Sequence, residues 1–97
     1  MTKFKIEYLK NKTKYGFIGM NKLAAQAHKI PFHHNHNVVE VWRTSKGVMR
    51  ATEKHEEIEY SMMRRGLPYH QAHKIALKYE DSKMPVKTII KKVEGGK

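Results

Sequence analysis

His55, Glu59 and His73 are the side chains of this chain whose types and spacing suit metal chemistry. His55 and Glu59 stand four residues apart, so on a helix they share a stripe with Ile58 and Met62, the apolar residues that must point inward. An imidazole and a carboxylate are thereby pushed toward the core together. Farther along, Tyr69, Ala72, His73, Ala76 and Glu80 fall on a second helical stripe, whose two alanines let a neighbouring helix approach closely. Two imidazoles and a carboxylate from two helices form a three-ligand set for zinc or another divalent ion, with a fourth position left for water. An open position is what metal-assisted hydrolysis requires, because the ion lowers the pKa of its water toward ~7. A second reading stays open: a buried His hydrogen-bonded to a Glu across a helix interface satisfies both groups without any ion.

Either reading needs two antiparallel helices. Thr52 is placed to cap a helix from Glu53 to about Arg65, and Gly66 supplies a left-handed exit. Pro68 suits the first turn of the next helix, which runs to about Glu80. The connection between them is short, which favours antiparallel neighbours and brings His73 within reach of His55 and Glu59. Four of the nine acidic residues lie between positions 53 and 59. Glu53, Glu56 and Glu57 are accounted for by the positive end of the helix dipole and by nearby cations such as Lys54, whereas Glu59 lies beyond the first turn.

The stretch from Ala51 to Glu59 resembles the active-site helix of zinc-dependent metallopeptidases of the zincin class, whose motif is His-Glu-x-x-His, with Glu59 standing where the second His would be. The resemblance implies His55 as a ligand, Glu56 as general base, Glu59 in the second ligand position and His73 as the downstream ligand. The hairpin is also broadly similar to small domains of phage, archaeal-virus and toxin-associated proteins, without matching one family.

Upstream, Phe4, Ile6 and Tyr8 alternate with Lys3, Lys5 and Glu7, the period of a half-buried strand. A polar turn over Asn11 to Lys14 follows, then Phe17 and Ile18 between Gly16 and Gly19, as a short return strand or an irregular crossing. Asn21 caps a helix from Lys22 to about Lys29, which Pro31 stops. Val38, Val39, Val41 and Trp42 form the most strand-like run, followed by a turn at Ser45, Lys46 and Gly47. Val86 to Val93 reads as a last strand, and Glu94 to Lys97 as a frayed, disordered tail. The fold expected is one basic α+β domain over residues 1–93. A small mixed or antiparallel sheet, built mainly from residues 3–9 and 38–43, is covered by about three helices that include the C-terminal helical hairpin.

A chain of 97 residues supports one core, and the absence of cysteine rules out disulfides and thiolate ligands. With neither a signal-peptide stretch nor a run of roughly 20 apolar residues, a cytoplasmic protein without a membrane partner is expected. Twenty Lys and Arg against nine Asp and Glu point to an anionic partner, nucleic acid being the commonest, although sixteen of the twenty are Lys, which also serve solubility alone. Arg43, Lys46, Arg50, Arg64 and Arg65 are the candidate phosphate-binding face, with Trp42 and Tyr69 as stacking surfaces or core aromatics. His33, His34 and His36 lie in a polar loop that reads as solvated or as a metal- or phosphate-contacting segment.

The leading expectation is a nucleic-acid-associated protein with a hydrolytic divalent-metal site, zinc first. Its rivals are a non-enzymatic nucleic-acid-binding module and a protein-binding regulator, each with a purely structural His/Glu cluster.

Overall fold

A computed structural model describes residues 3–95. Its elements run β1 (Lys5–Leu9), β2 (Gly19–Asn21), α1 (Lys22–His28), β3 (Val38–Trp42), α2 (Lys46–Arg64), α3 (Tyr69–Tyr79) and α4 (Val86–Gly95). The architecture is α+β, a three-stranded mixed sheet with four helices. Valine-rich β3 takes the centre, parallel to β1 and antiparallel to β2. Its Val39 and Val41 are fully buried, as β-branched residues on a covered sheet should be.

The first turn of α1 is held by Asn21, whose side-chain oxygen accepts from the Ala24 amide at 2.8 Å. At its other end Lys29 adopts the left-handed conformation, φ 59°, and the helix stops before Pro31 is reached.

The expected turn at Ser45, Lys46 and Gly47 is instead the start of α2, with Ser45 as its N-cap residue. Thr52 is therefore interior to the helix, and its hydroxyl donates back to the Val48 carbonyl at 2.7 Å. No acidic residue lies in the first turn of α2, so the dipole does not account for Glu53, Glu56 and Glu57. The polar Ser-Lys-Gly signal was a local preference, and two extra helical turns ending on the buried stripe from Thr52 to Met62 override it.

Gly66, at φ 101°, closes α2 as expected: its amide reaches Met63 O at 2.9 Å, and Leu67 N reaches Met62 O at 3.2 Å. The chain then reverses through Pro68 into α3, and Ala72 and Ala76, both fully buried, let α3 pack tightly on α2.

The run Val86 to Val93 is a helix, not a strand. Val86, Ile89, Ile90 and Val93 recur at helical spacing and pack onto the core of Ile58, Met62, Ala72 and Ala76, while Lys87, Lys91 and Lys92 stay exposed. Packing of one apolar stripe against α2 decides what β-branched composition left ambiguous. Glu94 and Gly95, expected in a frayed tail, belong to α4, and residues 96–97 of that tail lie outside those described. A second cluster, Met20, Ala24 and Ala25 with Phe17, Ile30 and Tyr69, joins α1 and β2 to the hairpin. Among the described residues no helix is long and apolar enough to cross a membrane.

Candidate metal centre

The inward stripe of α2 delivers His55, Ile58, Glu59 and Met62 to the interior, with Glu59 only 2% exposed. From α3, His73 meets them. Glu59 Oε2 lies 3.0 Å from His55 Nε2 and 2.8 Å from His73 Nδ1, and the two nitrogens are 3.2 Å apart. These three residues form a group that could hold a metal ion.

The protonation state of Glu59 decides how the triangle can be satisfied. With Glu59 ionised, both nitrogens must carry hydrogen to donate to Oε2, and they then oppose each other as two donors. If either nitrogen instead offers a lone pair, its edge to Oε2 becomes acceptor against acceptor. With Glu59 protonated, Oε2 can donate to His73 Nδ1 while accepting from His55 Nε2; a cation in place of those protons takes lone pairs from all three atoms at once. Ligand bonds of roughly 2.0–2.1 Å in a tetrahedron set ligand–ligand edges of about 3.3 Å, about 0.1 to 0.5 Å longer than the observed edges.

The surrounding residues orient the donors. Glu80, the C-cap residue of α3, contacts His55 Nδ1 at 2.7 Å. Accepting a hydrogen there directs the Nε2 lone pair toward the triangle, the arrangement by which an outer carboxylate fixes a metal-binding imidazole. Asn21 donates from Nδ2 to Glu56 Oε1 at 2.9 Å and to Glu59 Oε1 at 3.2 Å, while its Oδ1 caps α1. One amide thus ties β2, α1 and two carboxylates of α2 together. Close approach of β2 requires Gly19, where a Cβ would fall 2.5 Å from Thr52 Cγ2 and 3.1 Å from Glu56 Cγ.

Burial alone would lower the affinity of His55 for a proton, but its hydrogen bonds to Glu59 and Glu80 and the Glu56 charge outweigh this and raise its pKa from 6.5 to about 9. Burial, reinforced by the Glu59 charge, pushes Glu56 up to about 8 against the opposing pull of His55 and Asn21.

The group opens into a cleft of about 500 Å³ whose walls include Phe17, Ile18, Met20, Val48, Tyr69 and Leu77, and Glu56 lines it as well. Ile18, Val48 and Leu77 are exposed, so the rim is apolar. Among the described residues no Lys or Arg lines this cleft, in a chain with twenty of them. His28 also lines it, packed on Phe17 and edge-on to Tyr69, and its Nε2 is buried with no hydrogen-bond partner. Tyr69 stacks on His73 with ring centroids 5.3 Å apart.

The other candidates are distributed differently. Arg43, Lys46 and Arg50 sit around the start of α2, and Arg64 and Arg65 at its end. At a rise of about 1.5 Å per residue, Arg50 and Arg64 are roughly 21 Å apart, so the five do not form one compact phosphate-binding face. Arg43 lies over the Tyr8 ring and Arg65 pairs with Glu94 at 3.0 Å. In the histidine-rich loop His33 is exposed, His34 pairs with Glu40 at 3.0 Å, and His36 meets the Tyr60 hydroxyl at 3.2 Å. The three do not converge on a common point.

The sequence pattern does not single out Asn21 or Glu80 as site residues. Glu80 carried a signal, since it shares the His73 stripe at a spacing of seven; Asn21 carried none beyond its capping role. Compared with family models, curated proteins and solved structures, the chain finds no match.

Proposed function

We propose that this protein is a divalent-metal-dependent hydrolase, with His55 Nε2, Glu59 Oε2 and His73 Nδ1 as ligands and zinc as the ion that best suits a nitrogen-rich, thiolate-free set. The observation that carries this reading is the triangle of three potential ligand atoms with edges of 2.8 to 3.2 Å, close enough for one cation to accept a lone pair from each. When bound, such an ion supplies an activated water and a Lewis acid. Glu56 is the general base. It is held by Asn21 on the same cleft, and a dication nearby favours its ionised form. Glu80 positions His55.

The cleft itself argues about substrate. A polyanion entering it would meet Glu56, Glu59 and Glu80 and, among the described residues, no Lys or Arg. Its apolar rim suits an uncharged scissile bond flanked by apolar groups, and a peptide bond between hydrophobic residues is such a substrate. The likeness of Ala51 to Glu59 to a zincin helix supports the same reading.

The test is elemental analysis of protein purified without a histidine tag, followed by turnover of a quenched-fluorescence peptide library. The expected result is one zinc per chain, cleavage blocked by a chelator, and a Glu56→Gln variant that keeps the ion but loses turnover by at least ~100-fold. A wild type that takes up no divalent ion, and whose stability a chelator leaves unchanged, overturns the proposal.

A further inference from the structure

A second concavity lies on the sheet face turned away from α2. Leu9 of β1, Glu40 of β3 and Met20 of β2 form its floor, and residues 10–15 form a wall. The register supports this placement: Met20 is paired with Glu40, and Leu9 with Trp42, two residues along β3, so these side chains share one face. Tyr8 and Val41, also paired, point the other way, where the Tyr8 hydroxyl reaches Glu53 of α2.

The wall contrasts with the apolar cleft. Lys10, Lys12 and Lys14 alternate along it, all exposed, and among the described residues none of the three forms an ion pair. The segment is shaped by its own hydrogen bonds, Thr13 N to Phe17 O at 2.9 Å and Gly16 N to Thr13 O at 2.8 Å, around Gly16 at φ 85°. Aromatic rings are interleaved with the lysines: Lys12 Nζ sits 5.1 Å from the Trp42 ring centroid and Lys14 Nζ 6.0 Å from that of Tyr15, which is 49% exposed. Among the described residues the one carboxylate lining the groove, Glu40, is already paired with His34 at 3.0 Å.

Ammonium groups at alternate positions beside an exposed aromatic face match a polymer that presents phosphates and unstacked bases together. A duplex hides its bases, and an anionic membrane has none. We propose that this groove binds single-stranded nucleic acid, with phosphates on Lys10, Lys12 and Lys14 and a base stacked on Tyr15. This places nucleic-acid contact on a different surface from the metal cleft, through residues other than Arg43, Lys46, Arg50, Arg64 and Arg65.

The experiment titrates the full chain into a short fluorescein-labelled oligo(dT), read by anisotropy and by emission of Trp42, the single tryptophan. The expected salt dependence has a log–log slope of about −2, three phosphate contacts at about −0.7 each, and Trp42 emission changes on binding. Lys10→Glu/Lys12→Glu/Lys14→Glu weakens binding at least ~10-fold, whereas Lys87→Glu/Lys91→Glu/Lys92→Glu on α4, with the same net-charge change, stays within about threefold. Tyr15→Ala weakens binding at unchanged charge, and chelator has no effect. Should the triple Glu variant fail to fold, the triple Gln variant carries the same expectation. Equal losses from the two triple variants overturn the proposal. So does a duplex, or phosphatidylserine vesicles, competing as well as the oligonucleotide while Tyr15→Ala is silent, and so does an absence of binding at low salt.

Discussion

The chain holds two groups of histidines, and only one converges. His33, His34 and His36 are near neighbours in sequence, yet their rings take separate partners: solvent for the first, Glu40 for the second and Tyr60 for the third. His55 and His73 are eighteen residues apart, yet Nε2 and Nδ1 approach to 3.2 Å and share Glu59 Oε2. Side chains close together on an extended loop fan outward, whereas those on two packed helices are aimed by backbones that burial holds in place. Rigid elements, not local histidine density, set the donor geometry.

The largest expected effect breaks this contrast directly. If the proposed site holds an ion, replacing His73 with Ala should remove it, while His33→Ala/His34→Ala/His36→Ala should leave it in place, measured by elemental analysis after dialysis. If the loop variant loses the ion instead, the assignment of the two groups is reversed. Next in size, Glu80→Gln keeps the ligands but leaves His55 poorly oriented, and zinc affinity measured by competition with a chromophoric chelator falls about 10- to 100-fold. The equivalent change at Glu40 leaves zinc affinity untouched.

Proton linkage sharpens the same comparison. In metal-free protein the His55 pKa rises from 6.5 to about 9 on folding, so the native state holds its proton more tightly. That stabilisation is complete below pH 6.5 and is lost as pH rises through about 9; Glu56, also raised, contributes with the same sign. The Tm of chelator-treated protein should therefore fall across this window. Saturating zinc, which displaces the His55 proton, should remove that fall, and a metal-free Tm that rises from pH 6.5 to 9 contradicts the assignment. The smallest effect belongs to the loop. His34 and Glu40 are part-exposed, and His34→Ala should cost at most about 1 kcal/mol in urea unfolding near neutral pH.

Much of the fold was legible because periodicity records burial. The alternation around Ile6, the valine run of β3, the Asn21 cap, the Gly66 exit and the facing stripes of α2 and α3 all follow from one residue's conformational preference or one element's pattern. The failures share a cause. Ser45, Lys46 and Gly47 read as a turn, and Val86 to Val93 as a strand, because local propensity is weak and distant packing overrode it. The same limit hid Asn21 from the site: its bonds to Glu56 and Glu59 span 35 and 38 residues, which no local pattern encodes.

Composition and spacing alone settled that this chain is strongly basic, free of cysteine, and able to put His55 beside Glu59 on one helical face and His73 on another. These follow from side-chain type and a helical repeat of 3.6 residues. Tertiary contacts decided the rest: which imidazole nitrogens meet Glu59, that Glu80 stands behind His55, that carboxylates and, among the described residues, no lysine line the cleft, and that Lys10, Lys12 and Lys14 wall a separate groove. Side-chain chemistry is local, but the distance between groups on different elements is set by how those elements bury their apolar faces.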